Sequence, residues 1–301
     1  MEHILSAKQF DRATLLKIFS EAVEMEKIVA RGGSDMAKGK ILATLFYEPS
    51  TRTRLSFETA MLRLGGGVIS ETDVNFSSAV KGEILPDTIR VVGNCADIIA
   101  LRSKNTGDAL LASEYSSVPI INAGDGAGEH PTQSLLDLFT IQKQFRLGEE
   151  PLKIAFVGDL KYGRTVHSLS TMIRNFEGVE IVFIAPDEVQ IPDKYVGKND
   201  SKQTVLDDDI LRQADVIYAT RMQRERFERV SDYEKVQDAF QLTLESVSKM
   251  KKNALLLHPL PRVNEIALEV DTLPQAQYFA QARNGIPVRM ALIARLLKLA
   301  Q

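Results

Sequence analysis

Short apolar runs alternate with amphipathic segments from one end of the chain to the other, and this alternation restricts the fold more than any other feature. A strand buried on both faces reads as a short apolar run, and two neighbouring parallel strands need a crossover, usually a helix, to connect them. Repeated alternation therefore predicts parallel sheets flanked by helices. The pattern occurs twice. In the first half the strand candidates are Ile41 to Phe46, Gly67 to Ser70, Asp97 to Leu101 and Val118 to Asn122; in the second they are Lys153 to Val157, Glu180 to Ala185, Asp215 to Thr220 and Ala254 to Leu257. The 301 residues suffice for two domains of about 150 residues each, and a hydrophobic share of 44% fills two cores. The expected fold class is α/β, with two doubly wound parallel-sheet domains and the active site in the cleft between them.

Pro131 opens a helix through Leu135, Leu136, Leu138, Phe139 and Ile141, and the stretch Leu147-Gly-Glu-Glu-Pro151 ends it, because glycine stops a helix and the residue before proline avoids helical geometry. The domains so drawn are 1–146 and 147–285. A C-terminal helix over 286–301, with Met290, Leu292, Ile293, Leu296 and Leu297 on one side, is expected to pack back on the first domain. The N-terminus lacks a basic region followed by an apolar stretch, and no run approaches the roughly 18 apolar residues of a membrane helix. A soluble, unexported, cytoplasmic chain is expected, with no membrane partner. Cys95 is the single cysteine, so no internal disulfide forms, and the four histidines make no zinc-spaced cluster. No metal or organic cofactor is expected. A formal charge of -3 provides no global basic field for nucleic acid, so any anion site must be local.

Ligands of open parallel sheets bind beyond the carboxyl ends of the strands. After Phe46 comes Tyr-Glu-Pro-Ser-Thr-Arg-Thr-Arg54, after Leu101 comes Arg102, and after Asn122 comes a glycine-rich loop ending in His130. In the second half Val157 is followed by Gly-Asp-Leu-Lys-Tyr-Gly-Arg164, Thr220 by Arg221-Met-Gln223, and Leu257 by His258-Pro-Leu-Pro-Arg262. Cations gather at two strand-end rims of a nearly neutral protein, as binding of a small, highly anionic substrate requires.

Ser50-Thr51-Arg52-Thr53-Arg54 lies between a strand and a helix whose apolar face is assigned to Leu55, Phe57, Met61 and Leu64. The helix start offers unpaired N–H groups and partial positive charge, to which the hydroxyls and a guanidinium fork add a phosphate cradle. The alternative is a Ser/Thr N-cap followed by surface arginines. His130-Pro-Thr-Gln133 opens the next long helix; His130 suits catalysis or simple capping, and Gln133 can both donate to and accept from an amide-like group. Gly158 to Gly163 lacks the second close glycine of a dinucleotide turn, which leaves Arg164 as a helix-start ligand for a carboxylate or as a solvated side chain. Arg221 and Gln223 are similar candidates, while Arg224, Glu225, Arg226 and Glu228 read as a solvated helix face. Two prolines stiffen 258–262 and leave carbonyls to recognise an NH2 group, or the segment is an ordinary proline turn. Ser77-Ser-Ala-Val-Lys81-Gly-Glu83 reads from composition as exposed coil.

FYEPSTRTRLSFE at 46 to 58, GDLKYGRTVHSL at 158 to 169 and HPLPR at 258 to 262 together resemble the catalytic chains of the aspartate carbamoyltransferase family, in family order and along nearly the whole sequence. The resemblance implies a carbamoyl-phosphate-binding domain at 1–146 and an aspartate-binding domain at 147–285. Ser50, Thr51, Arg52, Thr53, Arg102, His130, Gln133 and the backbone of Leu260 and Pro261 would hold carbamoyl phosphate; Lys81, Arg164, Arg221 and Gln223 would hold aspartate. Arg52, Thr53, Lys81, Arg102 and His130 would be catalytic. The loop carrying Lys81 would reach into a neighbouring subunit of a homotrimer, which overrides the coil reading, and a separate zinc-containing regulatory chain is a possible partner. Ornithine carbamoyltransferases share the phosphate motif but have cysteine where this chain has Pro259, and Arg164 and Arg221 suit a second carboxylate better than a methylene side chain. The chain departs from the family at Ser103-Lys104, where many members have His-Pro.

The chemistry so implied is direct attack of an uncharged amine on a carbamoyl carbon and loss of phosphate from a tetrahedral intermediate, with Arg52, Thr53, Arg102 and His130 stabilising developing charge. Rival readings are a nucleotide-dependent oxidoreductase, which the missing dinucleotide fingerprint disfavours, and an anion-binding module, for which the second rim is superfluous.

Overall fold

The apolar runs of the first half form strands β1 (Ile41–Phe46), β2 (Gly67–Glu71), β3 (Ile98–Ser103) and β4 (Ile120–Asp125) in the computed structural model, which describes residues 2–71, 78–222, 229–234, 236 and 240–299. The chain divides into two compact units, one comprising the described residues of Met1–Leu136 and Asn284–Gln301, the other Asp137–Arg283. In the first unit all four strands pair in parallel, in the order β2-β1-β3-β4. Helices α1 (Arg12–Ala30), α2 (Thr51–Arg63), α3 (Leu85–Gly93), α4 (Asp108–Tyr115) and α5 (Pro131–Gln144) supply the crossovers and cover. Ala43, Leu45, Ile99, Leu101 and Ile120 of the sheet are buried with Ile89 of α3 and Ala112 of α4.

The open edge of β4 does not remain bare. Ile4 pairs in parallel with Ile121, its N–H donating to Ile120 O at 2.9 Å while Asn122 N–H donates to Ile4 O at 2.7 Å. This contact occupies backbone groups that a bare edge would offer to a foreign strand.

In the second unit β5 (Leu152–Val157), β6 (Val179–Ile184), β7 (Ser201–Gln203), β8 (Val216–Ala219) and β9 (Leu255–Leu257) form a parallel sheet ordered β7-β6-β5-β8-β9. Helices α6 (Arg164–Ile173), α7 (Asp208–Gln213), α8 (Val230–Glu234) and α9 (Leu244–Ser248) belong to this unit, and α10 (Tyr278–Leu296) starts in it and continues into the first. The strand order reverses between β1 and β3 in one sheet and between β5 and β8 in the other. These are the points where an open α/β sheet leaves a crevice at its carboxyl edge.

Three local expectations change. Leu55 is 48% exposed, whereas Phe57, Met61 and Leu64 are fully buried; two residues before Phe57, it stands about 200° round the helix from that face. Residues 122–125 continue β4 rather than forming a loop. The C-terminal helix begins at Tyr278, and Val288, Met290, Ala291, Leu292, Ile293, Ala294 and Leu296 are all buried, so apolar cover extends nearly all round it rather than along one side. β7 has no apolar run to announce it.

Candidate active site

At the first switch point, β1 leads through 47–50 into α2. Ser50 occupies the N-cap position, but its side chain makes no capping hydrogen bond. The hydroxyl is thus not consumed by the helix, which favours the cradle over the plain cap. Thr51 and Arg52 are exposed and Thr53 is buried. First-turn N–H groups of a helix lack intrahelical acceptors and present a partial positive charge, so this is a place where an anion is stabilised.

Arg102 reaches the same edge from β3. It is paired across the sheet with Phe46, and its carbonyl accepts the Tyr47 N–H at 2.9 Å, which fixes the two strand ends side by side. Its guanidinium is buried, with Nη2 2.9 Å from Glu48 and Nη1 donating to Ala123 O at 3.2 Å. Those contacts hold the fork in one orientation. The Ser103-Lys104 departure does not loosen the turn after Arg102: Ser103 Oγ donates to Asp108, Asn105 Nδ2 donates to the same carboxylate at 3.1 Å, and Gly126 N–H donates to Ser103 O at 2.9 Å.

His130 precedes Pro131 at the start of α5 and is 4% exposed. Its carbonyl accepts the N–H groups of Gln133 at 3.0 Å and Ser134 at 3.3 Å, so the backbone caps the start of α5. The approach to it is built on Asp125, whose carboxylate accepts the N–H of Glu129 at 2.7 Å and of Gly107 at 3.0 Å. Ser50 to Thr53, Arg102, His130 and Gln133 thus stand at the carboxyl ends of β1, β3 and β4 in one unit. Lys81, exposed at the end of the 3-10 turn Ser78–Lys81, has no hydrogen bond or ion pair to any of them among the described residues.

In the second unit the loop after β5 is tightly packed. Gly158 has φ +117, and a Cβ there would lie 2.1 Å from Thr220 O, so only glycine fits. The Thr220 hydroxyl donates to Val157 O at 3.1 Å, tying the strand ends after β5 and β8 together. Asp159 accepts the Tyr162 N–H at 3.0 Å, and the loop delivers Arg164 as the first residue of α6. His167 supports it from beneath: its Nε2 donates to Leu160 O at 2.9 Å and its ring stacks on Tyr195 with centroids 4.1 Å apart. Burial pushes the His167 imidazole down to about 4, so it is neutral in this role at neutral pH. Arg221 follows β8 after Thr220; Gln223 lies outside the described residues. A small crevice opens at these strand ends, with Gly158, Thr220, Met222 and Glu265 in its wall.

The 258–262 segment is held by a network that the sequence did not announce. Leu260 has φ 54, a conformation costly for a residue with a Cβ, and precedes a cis bond to Pro261. Its N–H donates to His258 Nδ1 at 2.8 Å, while His258 Nε2 donates to Glu265 at 2.7 Å; these two bonds fix the tautomer. The second Glu265 oxygen accepts from the N–H groups of Val263 and Asn264, both at 3.1 Å. Burial pushes the Glu265 carboxyl up, but the hydrogen bonds from His258 and from backbone N–H groups outweigh it and hold the group below the usual carboxylate range. Behind His258 its N–H donates to Gln281, Gln281 donates to Asp137 at 2.6 Å, and Tyr218 OH donates to Asp137 at 2.8 Å. Asp137 had one visible signal, a lone acid inside Leu-Leu-Asp-Leu-Phe; Glu265, Gln281 and Tyr218 had none. The result is a fixed Leu260 backbone, with Pro261 exposed beside it.

Known proteins resemble the chain over nearly its whole length. Residues 2–143 match the family model described as aspartate/ornithine carbamoyltransferase, carbamoyl-P binding domain, and residues 150–296 match the model for its Asp/Orn binding domain. The aspartate carbamoyltransferase catalytic subunit of Methanococcus aeolicus is 50% identical, over 97% of this chain and 96% of its own. Among solved structures, the catalytic subunit of aspartate transcarbamoylase from M. jannaschii superposes with a TM-score of 0.90 at 50% identity, covering 99% of this chain and 98% of that one. The Trypanosoma cruzi aspartate transcarbamoylase in complex with carbamoyl phosphate and aspartate gives a TM-score of 0.90 at 36% identity, covering 97% and 95%. The chain belongs to the aspartate/ornithine carbamoyltransferase family.

Proposed function

We propose that this chain is an aspartate carbamoyltransferase, moving the carbamoyl group of carbamoyl phosphate onto the amine of L-aspartate to give N-carbamoyl-L-aspartate and phosphate, in de novo pyrimidine biosynthesis. The observation that carries this reading is the pair of switch points: a phosphate cradle with buried Arg102 at one, and Arg164 with Arg221 at the other. The first domain (1–146) takes carbamoyl phosphate through Ser50, Thr51, Arg52, Thr53, Arg102, His130 and Gln133. The second (147–285) takes aspartate through Arg164, Arg221 and Gln223 and offers the Leu260 and Pro261 backbone to the carbamoyl NH2 and the incoming amine.

Carbamoyl phosphate is a mixed anhydride and carries its own leaving group, so the step calls on no cofactor. The amine lone pair attacks the carbamoyl carbon, and negative charge develops on the carbonyl oxygen. Arg52, Thr53, Arg102 and His130 stabilise it by hydrogen bonds present before the reaction starts. The carbon–oxygen bond to phosphate then breaks, phosphate leaves with the electron pair, and it accepts the amine proton. His130 acts as a polariser. The active unit is a homotrimer in which Lys81 serves a neighbour's site; its exposure, beside exposed Val80 and Ile84, supports that role. We place the protein in the cytoplasm; among the described residues no helix is long and apolar enough to cross a membrane.

The deciding experiment supplies carbamoyl phosphate with aspartate or with ornithine to wild type and to Arg52→Ala. Carbamoyl-aspartate is expected from wild type, with kcat in the variant lower by about 3 to 4 kcal/mol of barrier. Citrulline from ornithine would overturn the acceptor; no product from either would overturn the activity.

A further inference from the structure

Arg289 is the one charge in the run Val-Arg-Met-Ala-Leu-Ile of α10, and it is 2% exposed. A guanidinium withdrawn from water is costly unless donors and charge are compensated. Here Nη1 donates to Ser56 Oγ at 2.8 Å, Nη2 donates to Thr132 Oγ1 at 3.4 Å, and the guanidinium carbon lies 4.9 Å from the Phe57 ring centroid. Gly285 makes room: a Cβ there would fall 2.4 Å from Arg289 Nη1 and 3.2 Å from Ser56 Oγ.

The partners are not scattered. Ser56 comes three residues after Thr53 and four after Arg52, so it lies on the same side of α2 one turn below the cradle. Thr132 lies between His130 and Gln133 in the first turn of α5. One buried cation therefore joins the two helix starts that carry the anion-binding groups, and in a low-dielectric interior its charge also favours an anion above them. All these residues belong to the first unit.

We propose that Arg289 is a positioning residue for carbamoyl phosphate: it holds α2 and α5 in mutual register and so sets the affinity of the cradle for phosphate without touching the ligand. The inference rests on the assignment of that cradle to carbamoyl phosphate. The test compares wild type with Arg289→Met, Arg289→Lys and Ser56→Ala, measuring inorganic phosphate binding by calorimetry, the KM for each substrate and thermal stability. Arg289→Met should raise the phosphate Kd and the carbamoyl phosphate KM at least about tenfold through misplaced helix starts, while the aspartate KM changes less than about twofold. Arg289→Lys keeps charge but not the fork, so it should recover only part of the affinity. Ser56→Ala, which removes one hydrogen bond and should fold in any case, should raise both constants about threefold. Variants with lowered melting temperature but wild-type phosphate Kd and KM per active site would reduce Arg289 to a core residue and overturn the proposal. If Arg289→Met does not fold, Ser56→Ala decides alone by the same constants. A wild type that neither binds phosphate nor forms product would instead overturn the cradle's assignment, and the proposal with it.

Discussion

Leu260 accepts a left-handed backbone that costs about 1–2 kcal/mol for a residue with a Cβ. Two features hold it there: its side chain packs on the core of the second unit, and its N–H is bound by His258, itself fixed by Glu265. A buried histidine thus decides how the Leu260 backbone is oriented. His167 plays the comparable part for the Arg164 loop, and it leaves a pH signature. Burial lowers its pKa from 6.5 to about 4, so the unfolded chain binds the proton first as pH falls. The cost to the folded state is absent above 6.5, grows between 6.5 and 4, and levels off below, reaching about 3 kcal/mol. His167→Gln keeps a donor for Leu160 O and cannot titrate. Urea unfolding of both proteins from pH 7 to pH 4 should show a shallower acid loss in the variant; parallel curves would show that His167 does not contribute.

Element starts carry most of the remaining organisation. Because Ser50 makes no capping bond, Ser50→Ala should change unfolding free energy by less than about 0.5 kcal/mol, whereas an N-cap serine costs about 1 kcal/mol on removal. Phosphate affinity should nevertheless fall, and a stability loss without an affinity loss would return Ser50 to a cap. Both sheets also use one device at the foot of their central strands. Asp97 accepts the Ile41 N–H at 2.9 Å and Lys40 Nζ at 2.8 Å; Asp215 accepts the Lys153 N–H at 2.9 Å and Lys251 Nζ at 2.6 Å. Each aspartate precedes the strand that pairs with the first strand of its sheet, so it sets where that pairing begins. Asp215→Ala strands a part-buried N–H and should cost about 1–3 kcal/mol in urea unfolding, with the aspartate KM little changed, because the proposed ligand groups lie at the opposite ends of the strands.

For the whole molecule, the proposed sharing of sites in a trimer makes a prediction that no single variant can. Arg52→Ala and Lys81→Ala should each be inactive, yet trimers reassembled from an equimolar mixture should regain about a quarter of the sites, since a cradle from one copy meets a lysine from another. Mixtures that remain inactive would place Lys81 outside a shared site. The sequence by itself determined the fold class, the two strand sets and the strand-end positions of Arg52, Arg102, Arg164 and Arg221, because burial on both faces of a sheet writes itself as local apolar runs and the loops after them are contiguous with them. It could not reveal β7, whose Ser-Lys-Gln forms a strand only by pairing with β6, nor the all-round burial of α10. Only the tertiary structure decided which polar residues fix the site: Glu265, Gln281, Asp137 and Tyr218 around His258, and Arg289 between Ser56 and Thr132. Arg289 and Thr132 lie 157 residues apart in the chain, and hydrogen bonds over such separations arise from how helices pack on a sheet, which no local pattern of residues encodes.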